Sequence, residues 1–129
     1  MPFDCLPSDD LSLRGLVAYH DGLAAEDAVE AHYVRNGQTI LARRWRGKSG
    51  EIDLVVEDGT GFIFVEVKKA RTHGAAAESL SMRQLGRICR ASEEYAASQC
   101  PDRSVFMRVD LALVDGQGRI DVLENISLH

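Results

Sequence analysis

Two strand-like runs, residues 51–57 and 62–69, joined through Asp58-Gly59-Thr60-Gly61, constrain this chain more than any other feature. Aspartate and glycine at such a junction favour a tight β-hairpin turn. A symmetric turn pairs residues whose numbers share one sum, so Asp53 is expected to face Glu66, and Glu51 to face Lys68. Alternation along the strands then puts Glu51, Asp53, Val55, Phe62, Phe64, Glu66 and Lys68 on one face. The opposite face carries Ile52, Leu54, Val56, Ile63, Val65 and Val67, all apolar, and is committed to a core. The first face is apolar near the turn and ionised at its open end.

Directly opposed side chains on such a ribbon have Cβ atoms roughly 4.5 to 5.5 Å apart. Two carboxylates held that closely repel unless one takes a proton or a divalent cation sits between them. Hard oxygen donors without imidazole or thiolate favour Mg2+, with Mn2+ as the substitute. Asp53 and Glu66 are therefore the candidate metal ligands. Lys68, two residues beyond Glu66 on the same face, brings an ammonium that can orient a water and stabilise charge on a phosphate. A cross-strand Glu51–Lys68 ion pair with both acids turned to solvent is the commoner outcome for an arbitrary hairpin. The conjunction of two acids, a lysine and a further inward glutamate, Glu26, favours the metal.

Around the hairpin the pattern reads as helix, strand, strand, strand, helix, strand, strand. Residues 1–10 hold both early prolines and three aspartates and read as an N-terminal extension, leaving 11–129 as a single domain. A helix is expected over 11–33 with a break at Gly22, stopped by Asn36-Gly37. Glu26, Val29 and Tyr33 share one stripe of it, so Glu26 points inward and needs a partner. A strand over 38–45 leads into the basic loop 46–50. Residues 72–79 read as a small, mobile loop, 79–98 as a helix ending before Pro101, and 104–114 and 119–126 as strands. The fold class is α/β, a mixed central sheet of about five strands flanked by helices. Asp110, alone in an apolar strand, reads as a structural hydrogen-bonding acid, and Trp45 as a core anchor.

With 129 residues, 45% of them hydrophobic, the chain can bury one substantial core. Three cysteines and four histidines are scattered without zinc spacing, which disfavours a zinc enzyme or a disulfide framework. No apolar run is long enough to span a bilayer and the first residues are acidic, so a cytoplasmic protein with no membrane partner is expected. A net charge of −5 argues against non-specific coating of nucleic acid, yet local basic clusters remain. Arg46 and Lys48, Lys69 and Arg71, and Arg83 with Arg87 are candidate phosphate contacts, although a solvated face is the commoner explanation of any one cluster taken alone.

Glu26, then Gly50-Glu51-Ile52-Asp53, then Glu66-Val67-Lys68, resembles the PD-(D/E)xK nuclease superfamily. The stretch from Gly22 to the C-terminus is similar to a YraN-type bacterial family often compared with Holliday-junction resolvases. The resemblance implies a restriction-endonuclease-like fold and a Mg2+-dependent endonuclease acting on DNA, branched or structured DNA in particular. It implies Asp53, Glu66 and the Val67 carbonyl as metal ligands, Lys68 as the catalytic lysine and Glu26 as an ancillary acid. Arg83-Gln84 stands where that family has a lysine-glutamine pair, which adds Gln84 to the candidate nucleic-acid contacts. Ala25 and Lys69 depart from the family's glycine and threonine. Three alternatives stay open: a non-catalytic nucleic-acid-binding or assembly module that kept the fold, RNA as the substrate, and a homodimer, which the two-fold symmetry of duplex DNA suits.

Overall fold

A computed structural model of the chain describes residues 13–126, with side chains from residue 22 onward. The expected extension, residues 1–10, lies outside the described residues. In chain order the elements are α1 (Leu13–Arg35), β1 (Thr39–Arg46), β2 (Glu51–Glu57), β3 (Gly61–Lys69), α2 (His73–Glu78), α3 (Met82–Gln99), β4 (Phe106–Val114) and β5 (Ile120–Leu123). The strands form one five-stranded sheet in the order β1-β2-β3-β4-β5. Only β3 and β4 run parallel, and α2 and α3 supply the long crossover that a parallel step requires. This is the expected α/β fold with a mixed sheet of five strands between helices. No helix among the described residues is long and apolar enough to cross a membrane.

The β2–β3 ladder keeps the register read from the turn, with Leu54↔Val65, Val55↔Phe64, Val56↔Ile63 and Glu57↔Phe62. Asp58 ties the turn by accepting hydrogen bonds from the Thr60 N–H at 2.9 Å and the Thr60 hydroxyl at 2.7 Å. Gly59 turns the chain at φ 91°, where a side chain would be strained.

Each face of the sheet buries its own layer. Ala25, Val29 and Tyr33 of α1 pack on Leu54, Val56, Ile63, Val65, Ala112 and Val114. Leu85, Ile88, Ala91 and Tyr95 of α3 pack on Val55, Phe64 and Val109. Burying side chains of this size stabilises by roughly 1.5–3 kcal/mol each, so these two layers hold the helices down. Trp45 leans edge-on against Tyr95 with ring centroids 5.3 Å apart, and acts as an anchor of the second layer. Asp110, with 0% exposure, accepts from the Tyr33 hydroxyl at 2.9 Å, from Arg108 at 3.0 and 3.2 Å and from the Asn125 N–H at 3.1 Å. It is the structural acid expected.

Three local expectations are corrected. α1 runs through Gly22 without a break, because one glycine costs only about 1 kcal/mol in a helix and the flanking turns outweigh it. Residues 73–78 are helical: Thr72 caps α2 by accepting the Ala75 N–H at 3.1 Å, and the small Ala76 is buried against Leu111 and Leu113. Ile52 packs with Val55 and Phe64 under α3, on the side opposite its neighbour Leu54. Strict alternation therefore fails at the residue between them, Asp53.

Candidate active site

Asp53 stands out in the backbone before its side chain is considered. Of the β2 residues, it alone has no partner in either the β1 or the β3 ladder. Its opposite number on β1 is Arg44, which sits at φ 50°, a region that costs an L side chain roughly 1–2 kcal/mol. The Asp53 carboxylate turns toward β3, and its Oδ2 accepts the Val67 N–H at 2.8 Å. In a regular ladder that N–H would bond to the β2 backbone. The N–H and C=O of one strand residue point the same way, so the Val67 carbonyl faces the same opened edge.

Glu66 follows from β3 and is only 6% exposed. Its Oε2 accepts the Gln84 side-chain amide of α3 at 2.9 Å and lies 3.3 Å from the Lys68 ammonium. The Asp53 and Glu66 carboxyl groups are within hydrogen-bonding reach of each other. Burial, and then the Asp53 charge, push the Glu66 carboxyl up to about 8 against the pull of Lys68. Asp53 is also raised, by burial, while the Val67 N–H opposes the shift. The pair thus holds a proton into the neutral range, as two close carboxylates do when no cation separates them.

The two acids open into a cleft of about 260 Å3 whose wall also includes Ser49, Gly50, Glu51, Gln84, Arg87 and Ile88. A hollow of about 400 Å3 at the turn end of the same ribbon is larger, but it is lined mainly by Phe62, Ile63, Phe106 and Met107 and shares no residue with the acids. Size favours the hollow, and chemistry favours the cleft.

The remaining candidates fall into three groups. Arg87 lines the cleft from an exposed position on α3. Gln84, expected to contact nucleic acid, spends its amide on Glu66 and so belongs with the acids. Lys48, Lys69, Arg71 and Arg83 are exposed, and Arg46 is 3.6 Å from Glu51. The ion pairs of Glu51 and Lys68 are therefore not with each other; Lys68 turns to Glu66 on its own strand. Glu26 has its inward partner, Arg44, at 2.9 Å. Burial raises Glu26, its hydrogen bond to Arg44 lowers it, and the Asp53 charge raises it again, which places it near the acids although not in the cleft wall.

Sequence reasoning did not find Glu94 or the role of Arg44. Glu94 of α3 accepts the Ser49 N–H at 3.3 Å and its hydroxyl at 3.1 Å, and so ties the 46–50 loop beside the cleft. No local signal marks it, because the residues it holds are 45 positions away.

Among the described residues, no three His, Cys, Asp or Glu side chains gather into a group that could hold a metal ion, so protein ligation here rests on two carboxylates. The donors on offer are the Asp53 and Glu66 carboxylates, whose Oδ1 and Oε1 take no part in the contacts with Val67, Gln84 and Lys68, and the Val67 carbonyl on the same strand. An all-oxygen set with open positions fits Mg2+, which keeps several waters and takes few carboxylates.

Fold and cleft together define an α/β protein with a paired-carboxylate site at the open end of a β-ribbon. The chain belongs to the uncharacterised protein family UPF0102, which it matches over residues 25–123. A UPF0102 protein of Cereibacter sphaeroides is 48% identical over 113 residues, covering 88% of this chain and 97% of the relative. One from Ruegeria pomeroyi is 44% identical over 119 residues, covering 92% and 97%. Among solved structures, Pyrococcus furiosus SfsA in complex with Ca2+ is similar at a TM-score of 0.37 and 15% identity. That likeness covers 87% of this chain and 65% of the SfsA chain, just under two-thirds of its length.

Proposed function

We propose that this protein is a divalent-metal-dependent endonuclease of the PD-(D/E)xK kind that hydrolyses DNA phosphodiester bonds, with branched or otherwise structured DNA as its substrate class. One observation carries the reading: Asp53 and Glu66 meet in one cleft, with the Lys68 ammonium 3.3 Å from Glu66. Asp53, Glu66 and the Val67 carbonyl would hold the ion. When bound, Mg2+ or Mn2+ would neutralise the two carboxylates, polarise a phosphate oxygen and acidify water.

The chain's own residues supply the rest. The Val67 N–H fixes the rotation of Asp53, and Gln84 fixes that of Glu66, so neither acid has to be ordered when substrate arrives. Lys68 supplies positive charge for the phosphate as negative charge develops, and helps to orient the attacking water. Water adds to phosphorus and the ester P–O bond breaks, leaving one end with the phosphate and the other with a hydroxyl. Arg87 in the cleft wall can take a non-bridging phosphate oxygen, and the exposed Arg46, Lys48, Lys69, Arg71 and Arg83 are candidate cations for the flanking backbone.

The test is a cleavage screen over linear, nicked and branched DNA and matching RNA, with Mg2+ and Mn2+, beside Asp53→Asn and Lys68→Ala. Cleavage of structured DNA that falls by roughly 100-fold or more in both variants is expected. Metal-independent DNA binding without cleavage would replace this reading with a binding module that kept the fold. Cutting of RNA alone would move the substrate class.

A further inference from the structure

From the backbone around Asp53 we infer that Arg44 and Glu26 form a positioning pair that shapes the metal site through the main chain, and that Glu26 does not itself ligate the ion. The inference rests on the metal-site reading above and assigns these two residues a role within it.

Three observations support it. Arg44 occupies the left-handed region, φ 50°, where an arginine persists only if its surroundings hold it there. Its guanidinium Nε is 2.9 Å from Glu26 Oε1, an ion pair whose acid comes from a different element, α1, with side-chain exposures of 41% and 23%. The β1–β2 register of Arg43↔Leu54 and Trp45↔Ile52 puts Asp53 opposite Arg44; the register is continuous across that point and shifts between Ile40 and Ala42.

The causal order follows from these contacts. In a regular strand, Asp53 would share its backbone groups with β1 and β3 and its side chain would alternate with Ile52 and Leu54. The kink at Arg44 turns the strand opposite it, so that Ile52 falls under α3 and Asp53 reaches the Val67 N–H and Glu66. Glu26 holds the kink by fixing the arginine side chain against α1. Glu26 is absent from the cleft wall, and its Oε1 is held by Arg44 at 2.9 Å. Its influence on the ion therefore passes through Arg44 and Asp53.

A double-mutant cycle read by Mn2+ calorimetry and thermal unfolding separates this role from direct ligation. Glycine adopts φ 50° without strain, so Arg44→Gly preserves the kink without the side chain, whereas a β-branched Arg44→Val flattens it. Arg44→Gly is expected to bind Mn2+ within about threefold of the parent, and Arg44→Val at least tenfold more weakly while still unfolding cooperatively. Glu26→Gln is expected to weaken Mn2+ binding in the parent and to add nothing in the Arg44→Gly background. An equal loss from Glu26→Gln in both backgrounds makes Glu26 a ligand and overturns the inference. So does Arg44→Gly binding as poorly as Arg44→Val. A parent that binds no Mn2+ at all refutes the metal-site reading itself, a result distinguishable from either of these.

Discussion

Asp110 and Glu66 are both buried carboxylates on adjacent, parallel strands, each beside a cation, and they have opposite characters. Asp110 lies on the α1 side and receives donors on both oxygens: Tyr33 and Arg108 on Oδ2, Arg108 and Asn125 on Oδ1. Glu66 lies on the α3 side, with Gln84 and Lys68 both on Oε2 and another carboxyl group within reach. A buried charge whose lone pairs are matched is a structural tie. One that faces a second acid leaves a demand for positive charge, which a proton meets in part and a dication meets better. Burial alone does not separate the two acids; what stands opposite does.

The largest expected effect is on the structural side. Asp110→Ala strands the half-buried Arg108 and the buried Tyr33 hydroxyl and should cost on the order of 3–5 kcal/mol in denaturant unfolding, with or without Mg2+. A loss below 1 kcal/mol would mean that the network is not a tie. The next effect has the opposite sign. Because the folded protein raises Glu66 from 4.5 to about 8, it binds a proton that the unfolded chain has already lost between those values. The stability from that proton is complete below pH 4.5 and lost as pH rises through about 8. Metal-free protein should therefore lose about 3–4 kcal/mol between pH 5 and 8. Glu66→Gln should flatten that slope and melt higher at pH 8. A parent whose stability rises over this range would break the contrast with Asp110. The smallest effect is Tyr33→Phe, which removes one of four donors to Asp110 and should cost about 1 kcal/mol, measured by the same unfolding curves.

What could be read from the chain depended on the range of the interaction. Turn chemistry at 58–61 is local, so the hairpin register, and with it the meeting of Asp53 and Glu66, was legible. The inward stripe of α1 and the isolation of Asp110 in an apolar strand were legible for the same reason, as periodicity needs no partner. The parity break at Asp53 was not, because it is imposed by Arg44 on another strand and Glu26 on a helix. Helix α2 was hidden by its small residues, although Thr72 three residues before Ala75 is a capping signal that could have revealed it. The Glu51 contact with Arg46 was not legible, because alternation alone cannot choose between a neighbour on β1 and one on β3.

The most direct measurement is calorimetric titration of the purified protein with Mn2+ at pH 7, repeated in two buffers of different ionisation heat. If Asp53 and Glu66 share a proton that the ion displaces, binding should release about one proton per site, and both binding and release should vanish in Asp53→Asn. Binding without proton release, or binding that Asp53→Asn leaves intact, would contradict the account.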